Sequence, residues 1–101
     1  MLLHRLMLNP RAREVRRDIA DPREMHRTLM SMFPPEESRD AEFRARHGVL
    51  HRVEPETRGG AVLLLVQTGD TPDWDMFMQG HPEYLLREPE SKALDDFHAA
   101  I

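Results

Sequence analysis

His26 stands between Arg23 and Arg27 in the stretch DPREMHRTLMSMFPPE, residues 21–36. Histidine titrates near neutral pH and can therefore both take and give a proton. Guanidinium groups hold phosphate oxygens through charge-assisted hydrogen bonds. Together these two residue types supply what cleavage of an RNA strand needs: a base for the 2′-hydroxyl, and cations to balance the charge that grows as that oxygen attacks phosphorus. The competing reading is that His26 only packs at the border of a core. Composition and spacing taken alone favour packing.

Other chemistries find little support. The six histidines fall at 4, 26, 47, 51, 81 and 98. The only pair four residues apart, His47 and His51, lies on an expected strand, where the two would stand about 13 Å apart, so no metal site is read. Ser31, Ser38 and Ser91 are not set in a nucleophile elbow. Gly59-Gly60 belongs to a turn rather than a phosphate-binding loop. Pairs such as Asp73/Asp75 and Asp95/Asp96 read as surface acids. With no cysteine there is no disulfide framework and no thiolate. No cofactor is called for.

The helix that must carry His26 is well marked. Asp21 caps it, Pro22 suits its first position, and Glu24 completes a D-x-x-E capping-box pattern. Met25, Leu29, Met32 and Phe33 form its apolar stripe, and Pro34-Pro35 ends it. On a wheel of about 100° per residue, His26 lies one step outside that stripe, on the side of Arg23, Arg27 and Met30.

Around this helix the chain suggests a small sheet. LLHRLML at 2–8 reads as an opening strand with Leu2, Leu6 and Leu8 on one face, ended by Asn9-Pro10. RAREVRRD at 11–18, with Val15 its only large apolar group, reads as a loop or one helical turn. Residues 36–47 read as a loop or the start of a strand. GVLHRVEP alternates Val49, His51 and Val53 against Leu50, Arg52 and Glu54, as a half-buried strand does. AVLLLVQT at 61–68 is apolar throughout and predicts a central strand covered on both faces. These two strands make a hairpin closed by a loop of about six residues. TPDWDMFMQG reads as turn-rich, anchored by Trp74, Phe77 and Met78, with a last helical turn around 94–101. The order is three-quarters of a ferredoxin-like βαββαβ unit, an α+β fold, and no fourth strand is evident after residue 86.

The 101 residues suffice for one small domain. The longest apolar run, at 61–66, is far too short to span a membrane, and the N-terminus does not read as a signal peptide. The default compartment is the cytoplasm. The net charge of −4 is unevenly placed. Residues 1–30 hold seven arginines against four acids, a surplus of three, and residues 31–101 hold seven basic groups against fourteen acids, a deficit of seven. An acidic total argues against coating nucleic acid indiscriminately, while the basic front end permits a local phosphate-facing patch.

The segments HRLMLNP, RRDIADP, EMHRTLMSMFP, LHRVEP and VLLLVQTGDTPDW resemble the start of the CasE family, the CRISPR RNA endoribonucleases of the type I-E Cascade complex. The likeness runs from about residue 2 to residue 75 and weakens beyond. It implies a metal-independent endoribonuclease that processes CRISPR repeat RNA into crRNA and leaves a 2′,3′-cyclic phosphate, with His26 as the catalytic residue. It implies tandem ferredoxin-like domains, of which residues 1–101 would be the N-terminal one, stopping short of its last strand. Cleavage by these residues alone would then be weak or absent. Arg23 and Arg27 are the expected phosphate contacts, with Arg13, Arg16 and Arg17 as further RNA-binding candidates. Several relatives have tyrosine where this chain has Arg23, which can contact phosphate but cannot serve as a neutral hydroxyl donor. The partners implied are the CRISPR repeat hairpin and other Cascade subunits. Self-association through an open sheet edge is a further expectation. The alternative reading is a non-catalytic RNA-binding or assembly module of a Cascade-like complex.

Overall fold

Strand β1 (Leu2–Leu8) alternates as its sequence predicts. His4, Leu6 and Leu8 turn inward and are buried, while Leu3, Arg5 and Met7 take the other face. The computed structural model describes residues 1–34, 48–54 and 61–93. Within them the chain continues through α1 (Arg13–Ala20), α2 (Pro22–Met30), β2 (Leu50–Glu54), β3 (Val62–Thr68), α3 (Trp74–Gly80) and β4 (Glu90–Ala93). The sheet order is β2-β3-β1-β4, and every neighbouring pair is antiparallel. This is the ferredoxin-like arrangement that the sequence suggested.

The fourth strand is therefore present, which corrects the expectation that the chain stops short of it. β4 pairs antiparallel with β1, Leu2 opposite Ala93 and Arg5 opposite Glu90. Its sequence, ESKA, is exposed along its whole length and offers no apolar alternation to read. What places it is the hydrogen-bonding edge of β1. That edge of β1 is thus occupied along Leu2–Arg5, and the outer strands of the sheet are β2 and β4.

Two helices were also missed. α1 runs for eight residues where at most one turn was expected. Its buried side consists of Val15 and Asp18, so half of what holds it is polar. α3 arises within the stretch read as turns. Asp73 caps it by accepting from the Met76 N–H (2.9 Å), and Phe77 is its buried residue. The readings of residues 36–47 and 94–101 lie outside the described residues.

All three helices pack on one face of the sheet. The core joins Leu6, Leu8, Leu64 and Val66 from the sheet to Val15, Met25, Leu29, Met32, Phe33, Phe77 and Tyr84. β3 is central, as predicted, but only one of its faces is covered. Leu64, Val66 and Thr68 are buried, while Leu63, Leu65 and Gln67 on the opposite face remain partly exposed.

Beneath α1 lies a buried polar node. The Tyr84 hydroxyl donates to Asp18 Oδ2 (2.7 Å), and Arg17 Nε donates to Asp18 Oδ1 (2.9 Å). Burial, together with the bond to Asp18, pushes the Tyr84 hydroxyl well above the usual phenol range, so it stays a neutral donor. A charged acceptor buried at 1% exposure needs its donors. Tyr84→Phe is expected to cost about 1–3 kcal/mol, read as a lowered urea midpoint with unchanged slope. A midpoint equal to wild type would show that the node contributes no net stability.

Candidate active site

α2 presents the residues singled out by the sequence. Asp21 accepts from the Arg23 N–H (3.0 Å), and Pro22 opens the helix. The second half of the expected capping box does not form. The Asp21 N–H donates to the Asp18 carbonyl instead (3.3 Å), which leaves Glu24 to pair with Arg17 (3.7 Å) and Arg27 (3.5 Å). Met25, Thr28 and Leu29 point into the core. Past Met30 the chain keeps turning, with Met32 N–H donating to Leu29 O and Phe33 N–H to Met30 O. Both side chains are therefore buried before Pro34.

His26 is exposed, together with Arg23 and Arg27. The three are on the exposed side of α2, outside the stripe of Met25 and Leu29. The packing role that composition favoured for His26 is therefore not what the fold gives it. Arg27 is 79% exposed and only loosely held by Glu24. Arg13 and Arg16 are exposed on the neighbouring helix α1. Arg17 differs from them. Its guanidinium bonds Asp18 and the Thr28 hydroxyl (3.3 Å) and approaches Glu24, so it ties α1 to α2. The Asp18 hydrogen bond raises its already high pKa further. Arg17 thus serves first as an internal tie, and a phosphate would compete with two carboxylates for it.

The other described histidines, His4, His81 and His51, fill three different roles. His4 is buried at 1% exposure in a closed hydrogen-bond chain. Thr68 Oγ1 donates to the Asp70 carbonyl (2.7 Å), so it accepts from His4 Nε2 (2.9 Å). Burial lowers the His4 pKa from 6.5 to about 4, so Nδ1 is bare at neutral pH and accepts from the Ser91 hydroxyl (2.6 Å). This bond fastens β4 to β1. The Trp74 indole meets the same ring edge-on, with centroids 5.2 Å apart.

His81 links α3 to the other two helices. Its Nδ1 lies 2.7 Å from Glu14 Oε2, and its Nε2 lies 3.0 Å from Ser31 Oγ. The serine–histidine–carboxylate order suggests a nucleophile, but the Ser31 hydroxyl donates to the Thr28 carbonyl (2.5 Å) and is spent on ending α2. The cluster reads as a clamp between helices.

His51 was read only as a strand residue. Val49 and Val53 on either side of it in the alternation both pack against the core. His51 therefore faces the helices from the outer strand and is half-buried there. Burial lowers its pKa, and the electrostatic influence of His26 acts in the same direction. The signal for its inward facing was present in the sequence, since Val49, His51 and Val53 share one face. His47 lies outside the described residues. Among the described residues, no three histidine, aspartate or glutamate side chains are placed to share a metal ion.

Comparison with known proteins places this helix and sheet in a family. The model of a family described as CRISPR associated protein matches residues 1–101. CRISPR-associated endoribonuclease Cse3 of Thermus thermophilus is 39% identical over 94 residues, covering 93% of this chain and 42% of the relative. The structure of Thermus thermophilus Cse3 bound to an RNA representing a pre-cleavage complex superposes with a TM-score of 0.66 at 34% identity, covering 91% of this chain and 42% of that one. A crystal structure of a CRISPR-associated protein from Thermus thermophilus gives 0.64 at 37% identity, with 89% and 44% covered. The chain thus spans about two-fifths of the length of the relatives it matches. With the resembling motifs, the matching fold and these likenesses in agreement, the chain belongs to the CRISPR-associated protein family that includes the Cse3, or CasE, proteins.

Proposed function

We propose that the chain is the catalytic-side part of an endoribonuclease that processes CRISPR repeat RNA, with His26 acting as general acid or base at the scissile phosphate. One observation carries this reading. His26 stands exposed on α2 between exposed Arg23 and Arg27, in a chain 39% identical to an enzyme named as a CRISPR-associated endoribonuclease. A histidine that only packed would have been turned inward, like His4.

In the proposed reaction the 2′-hydroxyl loses its proton to a basic nitrogen and its oxygen attacks the adjacent phosphorus. The bond from phosphorus to the 5′ oxygen breaks, and that oxygen receives a proton. The products are a 2′,3′-cyclic phosphate and a 5′-hydroxyl. Arg23 and Arg27 hold the phosphate and offset its growing charge, with Arg13 and Arg16 contributing along the strand. Histidine and guanidinium groups supply both proton transfer and charge balance, so the steps are written without a metal ion.

The rate of these 101 residues by themselves is expected to be low, because a misplacement of about 1 Å can cost a hundredfold. The test is a repeat hairpin in EDTA with protein in excess. Slow cutting at one position to a cyclic phosphate is expected, and it should vanish when the scissile nucleotide is 2′-deoxy. Cutting that survives the 2′-deoxy substitution would overturn the mechanism. Binding of the hairpin without any cutting would favour the RNA-binding module.

A further inference from the structure

We infer that His81 is a positioning residue for the cleavage reaction: held as the doubly protonated imidazolium between Glu14 and Ser31, it fixes the end of α2 and so the placement of His26. The positioning role rests on the endoribonuclease reading above, whereas the charged clamp stands on its own geometry.

The proton count comes from the partners. His81 Nδ1 lies 2.7 Å from Glu14 Oε2, and His81 Nε2 lies 3.0 Å from Ser31 Oγ. An ionised carboxylate can only accept, so Nδ1 must carry a hydrogen. The single hydroxyl hydrogen of Ser31 is directed to the Thr28 carbonyl at 2.5 Å, a separation at which two bare oxygens would repel. Ser31 Oγ is therefore an acceptor toward His81, and Nε2 must carry a hydrogen as well. A neutral ring has one N–H and would leave one of these contacts as two facing lone pairs. Only the cation makes both.

The surroundings suit a positive ring. His81 ends α3, its N–H donating to the Phe77 carbonyl (2.9 Å), and Ser31 ends α2 in the same way. The ring thus sits at the C-terminal ends of two helices, where carbonyls without helical partners favour positive charge. The rings of Phe77 and Tyr84 stand beside it, with centroids 4.9 and 5.9 Å away, within the roughly 6 Å over which aromatic rings attract cations. The His81 side chain is 19% exposed, so water screens the pair with Glu14 only in part. The titratable groups beside the ring are Glu14 from α1 and Tyr84 from the turn after α3. Asp18 and Arg17 lie beyond the Tyr84 hydroxyl and pair with each other (2.9 Å), and α2 presents only the Ser31 hydroxyl.

The consequence falls on α2. Met25 and Leu29 seat this helix through apolar contacts, which are not directional and leave small sliding movements open. Directional bonds remove that freedom. α3 and the residue that ends it grip the end of α2 at two points: the Asp73 N–H donates to the Met32 carbonyl (2.8 Å), and His81 bonds Ser31. Through Glu14 the same ring reaches α1, which bonds Thr28 of α2 through Arg17 (3.3 Å). Ser31 closes the helix that carries His26, so a shift of this end moves the His26 ring as well.

The first test is nitrogen magnetic resonance of the histidine rings in this chain at pH 7. Both His81 nitrogens are expected to carry hydrogen, and a bare nitrogen on that ring overturns the charged clamp. The second test measures single-turnover cleavage and hairpin affinity for His81→Gln and Ser31→Ala. Glutamine carries no charge and its one amide nitrogen replaces only one of the two ring donors. Alanine at the exposed Ser31 removes the link from the α2 side and leaves the core seated. The rate is expected to fall roughly 10–100-fold in His81→Gln and by less in Ser31→Ala. Affinity should hold in both, the split expected of a residue that places a catalytic group without touching RNA. Folded variants that cut like wild type, or that lose affinity in step with rate, overturn the positioning role and leave the endoribonuclease reading standing. If His81→Gln does not fold, Ser31→Ala decides. If wild type cuts no hairpin, the endoribonuclease reading fails and takes the positioning role with it, while the ring nitrogens still decide the charged clamp.

Discussion

His26→Ala is expected to slow cleavage of the repeat hairpin by roughly 10²–10⁴-fold while leaving hairpin affinity nearly unchanged. His26 projects from the outer side of α2, and no hydrogen bond holds it among the described residues. Removing it leaves Met25, Thr28 and Leu29 seated in the core, so the fold should change by no more than about 0.5 kcal/mol. An imidazole in the proton-transfer position acts in the transition state, so its loss falls on rate and not on binding. The arginines should behave the other way. Arg23→Ala and Arg27→Ala weaken binding across sequences and reduce its salt dependence by about one unit each. Arg27 should show less of this effect, because Glu24 already offsets part of its charge. Single-turnover cleavage and binding at fixed salt separate the two patterns. A His26→Ala protein that cuts within a few-fold of wild type would remove the histidine from the chemistry.

The second large effect is on stability in acid. His4 is buried and its pKa falls from 6.5 to about 4 on folding. The unfolded chain therefore binds the proton more tightly than the native one. The stability that neutral His4 contributes is fully present above pH 6.5 and is lost as pH falls from 6.5 through about 4. At 1.36 kcal/mol per unit, that loss is on the order of 3 kcal/mol, a large share of the 5–15 kcal/mol typical of a domain. Protonation would also convert Nδ1 from acceptor to donor, so the Ser91 hydroxyl would have to reverse its bond in the tie between β1 and β4. Carboxylates add their own acid slope, so the comparison is with His4→Leu. The stability gap between wild type and variant, measured by urea unfolding, should shift by about 3 kcal/mol between pH 7 and pH 4. Parallel curves would show that His4 does not titrate with folding.

What the sequence made legible follows the strength of each local signal. α2 carries a cap, a proline at its first position, a four-three-one apolar stripe and a proline stop, and it appears where these put it. β1 and β3 were legible from apolar alternation and an apolar run. α1 was not, because Asp18, a charged residue, forms half of its buried side, and the distant Tyr84 together with Arg17 makes that burial tolerable. α3 was hidden by short polar interruptions, although Asp73 was an available cap. β4 was invisible because an exposed edge strand needs no apolar pattern, only a neighbour with free hydrogen-bonding groups.

The site divides in the same way. Helical spacing put His26, Arg23 and Arg27 on one side of α2, and all three are exposed there. Arg17 looked equivalent to Arg13 and Arg16 in the sequence, yet it turns toward Asp18, Thr28 and Glu24, a contact between helices that spacing along one helix cannot show. His51 was assigned to the inward face of its strand from the alternation. That it is half-buried there and not sealed depends on β2 being the outer strand, which is set by the sheet order.

The measurement that bears most directly on the account is the response of the histidine ring signals to a repeat hairpin made uncleavable by a 2′-deoxy scissile nucleotide. It reads contact at the phosphate without requiring turnover. On the endoribonuclease reading the His26 signals shift on binding while those of the sealed His4 do not. A hairpin that binds and leaves the His26 signals unmoved would contradict the claim that α2 carries the working histidine.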